Sequence, residues 1–179
     1  MSGNCPRFDA APPGSPPPPP AELSTVSRFR LMLVREAELA EAESPSVDRP
    51  ELAVDYLWRH VFHDEPREVV AVLFADSANR ATGYLVAFTG TRANVPLGMH
   101  QVFGPAILAN AVAIVVAHNH VSGDARPSPL DMQATRDLWA AGRLLCIPLL
   151  DHLVIASRER WLSLRSVIAG LESEGNRGL

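Results

Sequence analysis

The sequence lacks the features that define several large classes of protein. Only two of its 179 residues are cysteines, Cys5 and Cys146, which are too few for a disulfide framework and lack the paired spacing of cysteine zinc sites. Any metal must therefore be held by His and carboxylate side chains. Lys and Arg total 16 against 20 Asp and Glu, and the resulting net charge of −4 disfavours a broad phosphate-binding surface. A peptide is thus a more suitable ligand than nucleic acid.

Long apolar runs are also missing. No stretch approaches the roughly 20 apolar residues that cross a bilayer. The first residues lack the basic start and apolar segment of a secretory signal. We therefore expect a cytoplasmic protein with no membrane partner.

Proline is abundant, but it is concentrated at one end of the chain. Eight of the 16 prolines fall in the first 20 residues, where they block helical and ladder hydrogen bonds. This composition predicts a disordered Pro-rich tail over residues 1–22. Residues 23–45 are rich in helix formers and predict an N-terminal helix. The main domain is expected over residues 46–165, followed by a C-terminal tail over 166–179.

The patterns in residues 46–165 predict alternating helices and strands. We expect a helix from an Asp48 cap through Phe62 with Leu52 on its inner stripe, then a hairpin formed by EVVAVLFA and ATGYLVAFTG. A helix kinked at Gly104-Pro105, the strand VAIVVAH, a helix over Ser128–Gly142 and one or two buried strands in CIPLLDHLVIA follow. RERWLSLRSVIAGLES predicts a short strand and a last helix. The fold class is α/β (α+β), a mixed β-sheet flanked by helices.

The stretch AHNHVSGDARPSPLD, residues 117–131, has the pattern of a metal site. Side chains alternate along a strand, so His118 and His120 can point the same way with Asn119 as a spacer. Ser128 and Pro129 mark a helix start, which places Asp131 in the first turn. Two imidazoles, one carboxylate and a water would complete a tetrahedral zinc site with an open position.

Other interpretations of these residues remain open. Ser-x-x-Asp is a capping signature and explains Ser128 and Asp131 without a metal. The letters HNH do not indicate the nuclease of that name, whose three residues are scattered over a ββα element and accompany a basic groove. Asp151 and His152 are adjacent in a predicted strand and point to opposite faces, so we expect a structural role or a contact behind the site for one of them.

The string HNHVSGDARPSPLD resembles the His-x-His, seven residues, Ser, two residues, Asp signature of the JAMM/MPN (JAB) metalloproteins. It is most similar to their RadC-like branch, whose usual form is HNHPSGD followed by PS and D. REVVAVLFADSANR, FTGT and GRLLCIPLLDHLVIA resemble further segments of that branch. The resemblance covers about residues 46–165 and implies the cytidine-deaminase-like MPN/JAB fold.

The resemblance also implies a mechanism. Zinc (Zn2+) would be held by His118, His120 and Asp131. Glu68 would act as general base and then general acid, while Ser128 would help to hold the developing oxyanion. From the residues alone, Glu65 or Asp64 in the adjoining loop could take the place of Glu68, and Ser128 could be only a helix cap.

The sequence departs from the family at several positions. Val121 replaces a proline after the histidines, and His100 and Gln101 replace an Arg-Glu pair that could line the cleft. Of the helix-hairpin-helix unit that often precedes RadC-like domains, these residues show only a helix that resembles its last one, so we do not expect direct association with DNA. The implied function is a zinc-dependent metallohydrolase that cleaves a peptide or isopeptide bond in a peptide or protein substrate. The alternative is a catalytically silent MPN-type binding or scaffold module associated with DNA repair or mobile elements.

Overall fold

Five strands form one sheet, and helices cover both of its faces. The computed structural model describes residues 45–90 and 98–175. The elements in chain order are α1 (Pro50–Leu57), a π-helical turn (Trp58–Phe62), β1 (Val69–Ala75), β2 (Ala81–Thr89), α2 (Met99–Leu108), β3 (Ala113–Asn119), α3 (Pro129–Leu145), β4 (Leu149–Ile155), β5 (Trp161–Ser163) and α4 (Arg165–Gly175). The predicted tail over 1–22 and the predicted helix over 23–45, except its last residue, lie outside the described residues.

The sheet is mixed, as its sequence predicts. Its strand order is β2-β1-β3-β4-β5, and every neighbouring pair is antiparallel except β3 and β4. The predicted hairpin is confirmed as β1 and β2, and α3 is the crossover between the two parallel strands. Both parallel strands end at the same edge of the sheet, where ligand sites of α/β folds are usually found. The α/β class is therefore confirmed.

Alternation along the strands separates two cores. On one face, odd-numbered residues of β1 such as Ala71 and Leu73 pack with Val54 and Leu57 of α1. On the other face, even-numbered strand residues such as Val70, Val72, Ile114 and Val116 pack with α2 and with Leu138 of α3. Because period-two alternation continues to the strand end, His118 lies on the face that α3 covers.

Two features of α1 differ from the predictions. The predicted Asp48 cap is wrong: Arg49 is the N-cap, it makes no side-chain cap bond, and Pro50 supplies the first helical position. The buried stripe of α1 contains Ala53 and Val54 rather than Leu52, which is only half-buried. Within residues 45–90 and 98–175, no helix is long and apolar enough to cross a bilayer.

The end of α3 lies further along the chain than the sequence indicates, and the predicted last helix is present as α4. α3 continues past Gly142 to Leu145, and Cys146 ends it in the left-handed region at φ 56°. The segment assigned to a C-terminal tail is helical through Gly175, and Ile168 of that helix is buried in the core beside α3. That helix is part of the folded domain.

Gly142 is required by a close backbone contact, which leads to a stability prediction. A Cβ atom at this position would lie 2.6 Å from the Ile147 carbonyl oxygen, and backbone cannot move aside easily. Gly142→Ala should therefore lower the free energy of unfolding by about 1–3 kcal/mol, the usual cost of overpacking. Gly170→Ala is the matched control, because nothing lies within 4 Å of its Cβ position in α4. In this control the free energy of unfolding should rise by about 0.5–1 kcal/mol, because alanine loses less conformational freedom than glycine inside a helix. Urea denaturation of both variants checks the pair, and equal effects would contradict it.

Candidate metal centre

The crossover from β3 to α3 brings the predicted ligands together. His118 and His120 leave the end of β3, and Asp131 occupies the first turn of α3. The loop between them turns at Gly123, whose φ of +79° favours glycine and whose amide donates to the His120 carbonyl oxygen. The chain thereby returns on itself within a short loop, so that the helix start lies over the strand end.

Three side chains converge at this point. The Nε2 atoms of His118 and His120 lie 3.0 Å apart. Oδ1 of Asp131 lies 3.2 Å from His118 Nε2, and Oδ2 lies 3.5 Å from His120 Nε2. The side chains of His118 and Asp131 are almost fully buried, whereas that of His120 remains 17% exposed. The site is thus closed on the core side and open at His120.

The spacing of these atoms fits a metal ion. Ligand atoms of a tetrahedral zinc ion, each about 2.0–2.2 Å from the metal, lie about 3.3–3.6 Å from one another. The two Nε2 atoms lie 3.0 Å apart, and each is 3.2 or 3.5 Å from a different oxygen of the Asp131 carboxylate, so these distances are within a few tenths of an ångström of this range. Within the described part of the chain, His118, His120 and Asp131 are the group of His, Cys and carboxylate side chains that can hold a metal ion.

The ring of His120 is oriented by the loop that follows it. Its Nδ1 lies 2.8 Å from the Asp124 carbonyl oxygen. A carbonyl oxygen only accepts, so Nδ1 carries the proton, and in a neutral ring the Nε2 lone pair faces the site.

The charges of the site are coupled. Burial by itself would raise the pKa of Asp131, but hydrogen bonds with His118 and His120 outweigh burial and hold this pKa well below its usual range. The same contact with Asp131 raises the pKa of His120 above its ordinary value, with smaller contributions from the Asp124 carbonyl and the Glu68 charge. The carboxylate is therefore ionised, and its negative charge favours a cation between the three side chains.

Ser128 caps α3 and also holds the carboxylate. Its hydroxyl oxygen accepts from the Asp131 amide at 3.2 Å and donates to Asp131 Oδ2 at 2.6 Å. The Ser128 amide donates to the same carboxylate oxygen at 2.7 Å. The predicted capping box is confirmed, and it is the arrangement that directs Asp131 toward the two histidines.

Glu68 lies at the same edge of the sheet. In the antiparallel pair of β1 and β3, Val70 is opposite His118, so continuing the register by two residues places Glu68 opposite His120. Its side chain is half-buried, and its charge acts on His120. By contrast, Glu65 is bound to Arg67 at 2.7 Å, and Asp64 is 92% exposed beside His63. The sequence leaves three acids as candidates for the general base. Of these, Glu68 is the one that strand pairing places opposite a proposed metal ligand.

Asn119 does more than separate the two histidines. Its Oδ1 accepts from the Val69 amide at 2.7 Å, and its Nδ2 donates to the Arg67 carbonyl oxygen at 2.8 Å. These bonds hold the backbone on both sides of Glu68, whose own carbonyl oxygen accepts from the Gly90 amide at 2.9 Å. The spacer interpretation missed this contact. The signal available in the sequence was a buried amide at the end of an apolar strand, which needs partners for its donors and acceptor.

Asp151 and His152 separate to opposite faces, as alternation predicts. Both carboxylate oxygens of Asp151 accept from the Ser163 hydroxyl, and Arg165 lies 3.6 Å away, so this acid joins β4 to the start of α4. Burial raises the pKa of Asp151. His152 turns to the other face, where its Nε2 lies 3.0 Å from His118 Nδ1. The predicted contact behind the site is therefore made by His152.

Two residues that differ from the family pattern lie at the N-terminus of α2. The Gln101 side chain accepts from the Gly98 amide at 3.0 Å and thus caps α2, and the His100 side chain lies against Gly98. A third departure, Val121, is 57% exposed in the loop after the histidines. None of these residues contributes a ligand to the candidate metal centre.

Comparison of the sequence with known proteins identifies relatives of this chain. The family described as RadC-like JAB domain matches residues 47–170. A UPF0758 protein of Trichodesmium erythraeum (strain IMS101) is 36% identical over 149 residues, which cover 83% of this chain and 58% of the relative. UPF0758 proteins of Cellvibrio japonicus (strain Ueda107) and Chloroflexus aggregans (strain MD-66 / DSM 9485) are 43% and 41% identical, covering 62% and 59% of this chain and 49% and 46% of the relatives.

The chain spans about half the length of the curated relatives it matches. The family match extends over most of the described fold and includes β1, β3 and α3, the elements that carry the candidate metal centre. The chain therefore belongs to the RadC-like JAB domain family, a branch of the JAB/MPN superfamily.

Proposed function

We propose that this chain is a zinc-dependent metallohydrolase that cleaves a peptide or isopeptide bond in a peptide or protein substrate. One observation carries the proposal: two imidazole nitrogens and a carboxylate, separated by 3.0–3.5 Å, meet at a sheet edge beside a half-buried glutamate. Two His and one acidic ligand leave a fourth position open, which is the composition of a catalytic rather than a structural zinc site.

Each residue has a proposed role. When bound, zinc would lower the pKa of a coordinated water to about 7 and polarise the scissile carbonyl. Glu68 would accept the proton of the attacking water and deliver it to the leaving amine. Ser128 would keep Asp131 in place through the bond at 2.6 Å, and its hydroxyl would donate to the developing oxyanion after exchanging that partner.

The proposed function is tested by loading the protein with zinc and offering it a library of linear peptides together with lysine-linked isopeptides. Zinc-loaded protein should cleave members of the library, chelator-treated protein should not, and restoring zinc should restore cleavage. Stoichiometric zinc with no cleavage of any substrate would instead favour the silent binding or scaffold module.

Zinc binding should depend on pH because protons compete for the ligands. Asp131 raises the pKa of His120, so in the metal-free protein this imidazole stays protonated to a higher pH than an ordinary histidine. Zinc affinity should therefore be fully developed above that raised pKa and should fall as the pH is lowered through it. Competition with a chromophoric chelator across the neutral range measures the affinity, with the chelator's own titration subtracted. An affinity that stays constant across this range would contradict the prediction.

A further inference from the structure

A chain of buried polar groups lies behind the candidate metal centre. His118 Nδ1 is 3.0 Å from His152 Nε2, and His152 Nδ1 is 2.7 Å from the Thr135 hydroxyl oxygen. That hydroxyl is also 2.7 Å from the Asp131 carbonyl oxygen, one turn earlier in α3. All four residues are buried, and Thr135 and His152 are only 0% and 1% exposed. The chain of groups runs from one proposed ligand to the backbone of another.

The direction of each hydrogen bond follows from its acceptors. A carbonyl oxygen cannot donate, so the single hydroxyl proton of Thr135 goes to Asp131. The Thr135 oxygen must then accept, so Nδ1 of His152 carries a proton. A metal bound at His118 Nε2 would leave the proton of that ring on Nδ1, which would then donate to His152 Nε2 at 3.0 Å.

We propose that His152 and Thr135 are positioning residues that orient the His118 ring and hold it in the Nδ1–H tautomer when a metal is bound at Nε2. This tautomer leaves the Nε2 lone pair of His118 directed at Asp131 and His120, where a metal would be bound. Because Thr135 ends the hydrogen-bonded chain on Asp131, the same bonds tie the orientation of His118 to the first turn of α3. The inference rests on the proposed function for its use of the metal, whereas the contacts among Thr135, His152 and His118 are present without one.

The register of the parallel strands explains why His152 can do this. Val116 of β3 is paired with His152 of β4, which places His152 one step from His118 on the same face. Its neighbour Asp151 lies on the opposite face with Ser163 and takes no part. A buried imidazole without partners would be costly here, because the surrounding core is apolar and contains Leu138, Val116 and Ile114.

The test uses two pairs of variants of the full chain. Thr135→Val and His152→Phe remove the bonds, whereas Thr135→Ser keeps a hydroxyl and His152→Gln keeps an acceptor toward His118. Zinc affinity, measured by chelator competition, should fall by about 10–100-fold in the first pair and stay near the wild-type value in the second. Because Thr135→Val is nearly isosteric, its zinc affinity tests the inference even if His152→Phe does not fold. Unchanged affinity in folded Thr135→Val would overturn the inference.

A second readout does not depend on activity. In zinc-loaded protein, ¹H–¹⁵N spectra should show the Nδ1–H of His118 as a hydrogen-bonded proton that exchanges slowly, and it should exchange faster in Thr135→Val and His152→Phe. Equally fast exchange in the wild type and both variants would overturn the inference. If the wild type bound zinc but cleaved no substrate, the proposed function would fail, and the zinc affinities and exchange rates would still decide the inference separately.

Discussion

Glu68→Gln should keep bound zinc and lose cleavage by about 10²–10⁴-fold, the range that general acid–base groups contribute. The amide has nearly the shape of the carboxylate but cannot accept the proton of the attacking water. Because Glu68 is not among the three converging side chains, its replacement should leave zinc content unchanged. Cleavage rate and zinc content are to be measured on the same preparation.

Glu65→Gln is the control for this prediction. Glu65 lies in the loop before β1 and is held by Arg67 through two contacts of 2.7 and 3.0 Å, away from the register of the site. This variant should cleave at the wild-type rate. Full activity in Glu68→Gln, or loss of activity in Glu65→Gln alone, would contradict the role proposed for Glu68.

Asp131→Asn should abolish zinc-dependent stabilisation. A ligand that binds only the folded state at a hundred times its Kd adds about 2.7 kcal/mol to the free energy of unfolding. The substituted amide would lack the negative charge that the two imidazoles face at 3.2 and 3.5 Å. At the same zinc concentration, zinc should not raise the free energy of unfolding of this variant, and the variant should not cleave substrate. Thermal unfolding with and without zinc measures the gain.

The matched control is Asp124→Asn in the loop before α3. The Asp124 side chain pairs with Arg126 at the surface, whereas it is the Asp124 backbone carbonyl that contacts His120. The substitution leaves that carbonyl in place, so the zinc-dependent gain should persist. An equal gain in Asp131→Asn and the wild type would remove Asp131 from the ligand set.

Local patterns predicted the elements of the fold and the composition of the candidate site. The strand VAIVVAH, the Ser128 cap and the alternation of His118 and His120 are all properties of short segments, and each is present. The prediction that Asp48 caps α1 was wrong because Pro50 can begin a helix without a side-chain cap. The predicted end of α3 at Gly142 was wrong, since this glycine lies inside the helix, where the lack of a side chain allows close contact with the backbone of Ile147.

The supporting contacts could not be assigned from the sequence. Asn119 holds Arg67 and Val69 across 50 or more residues, and His152 reaches His118 across 34. Both contacts depend on which strands pair and in which register, and this is a property of the whole sheet. A pattern within one segment can indicate that a buried polar side chain needs a partner, but not which residue supplies it.

The zinc content of purified protein tests the metal centre most directly, when it is determined by elemental analysis after equilibration with zinc and removal of excess. Wild-type protein should hold one zinc ion per chain, and His118→Ala should hold essentially none. An equal, substoichiometric content in the two proteins would contradict the metal centre and with it the proposed hydrolase.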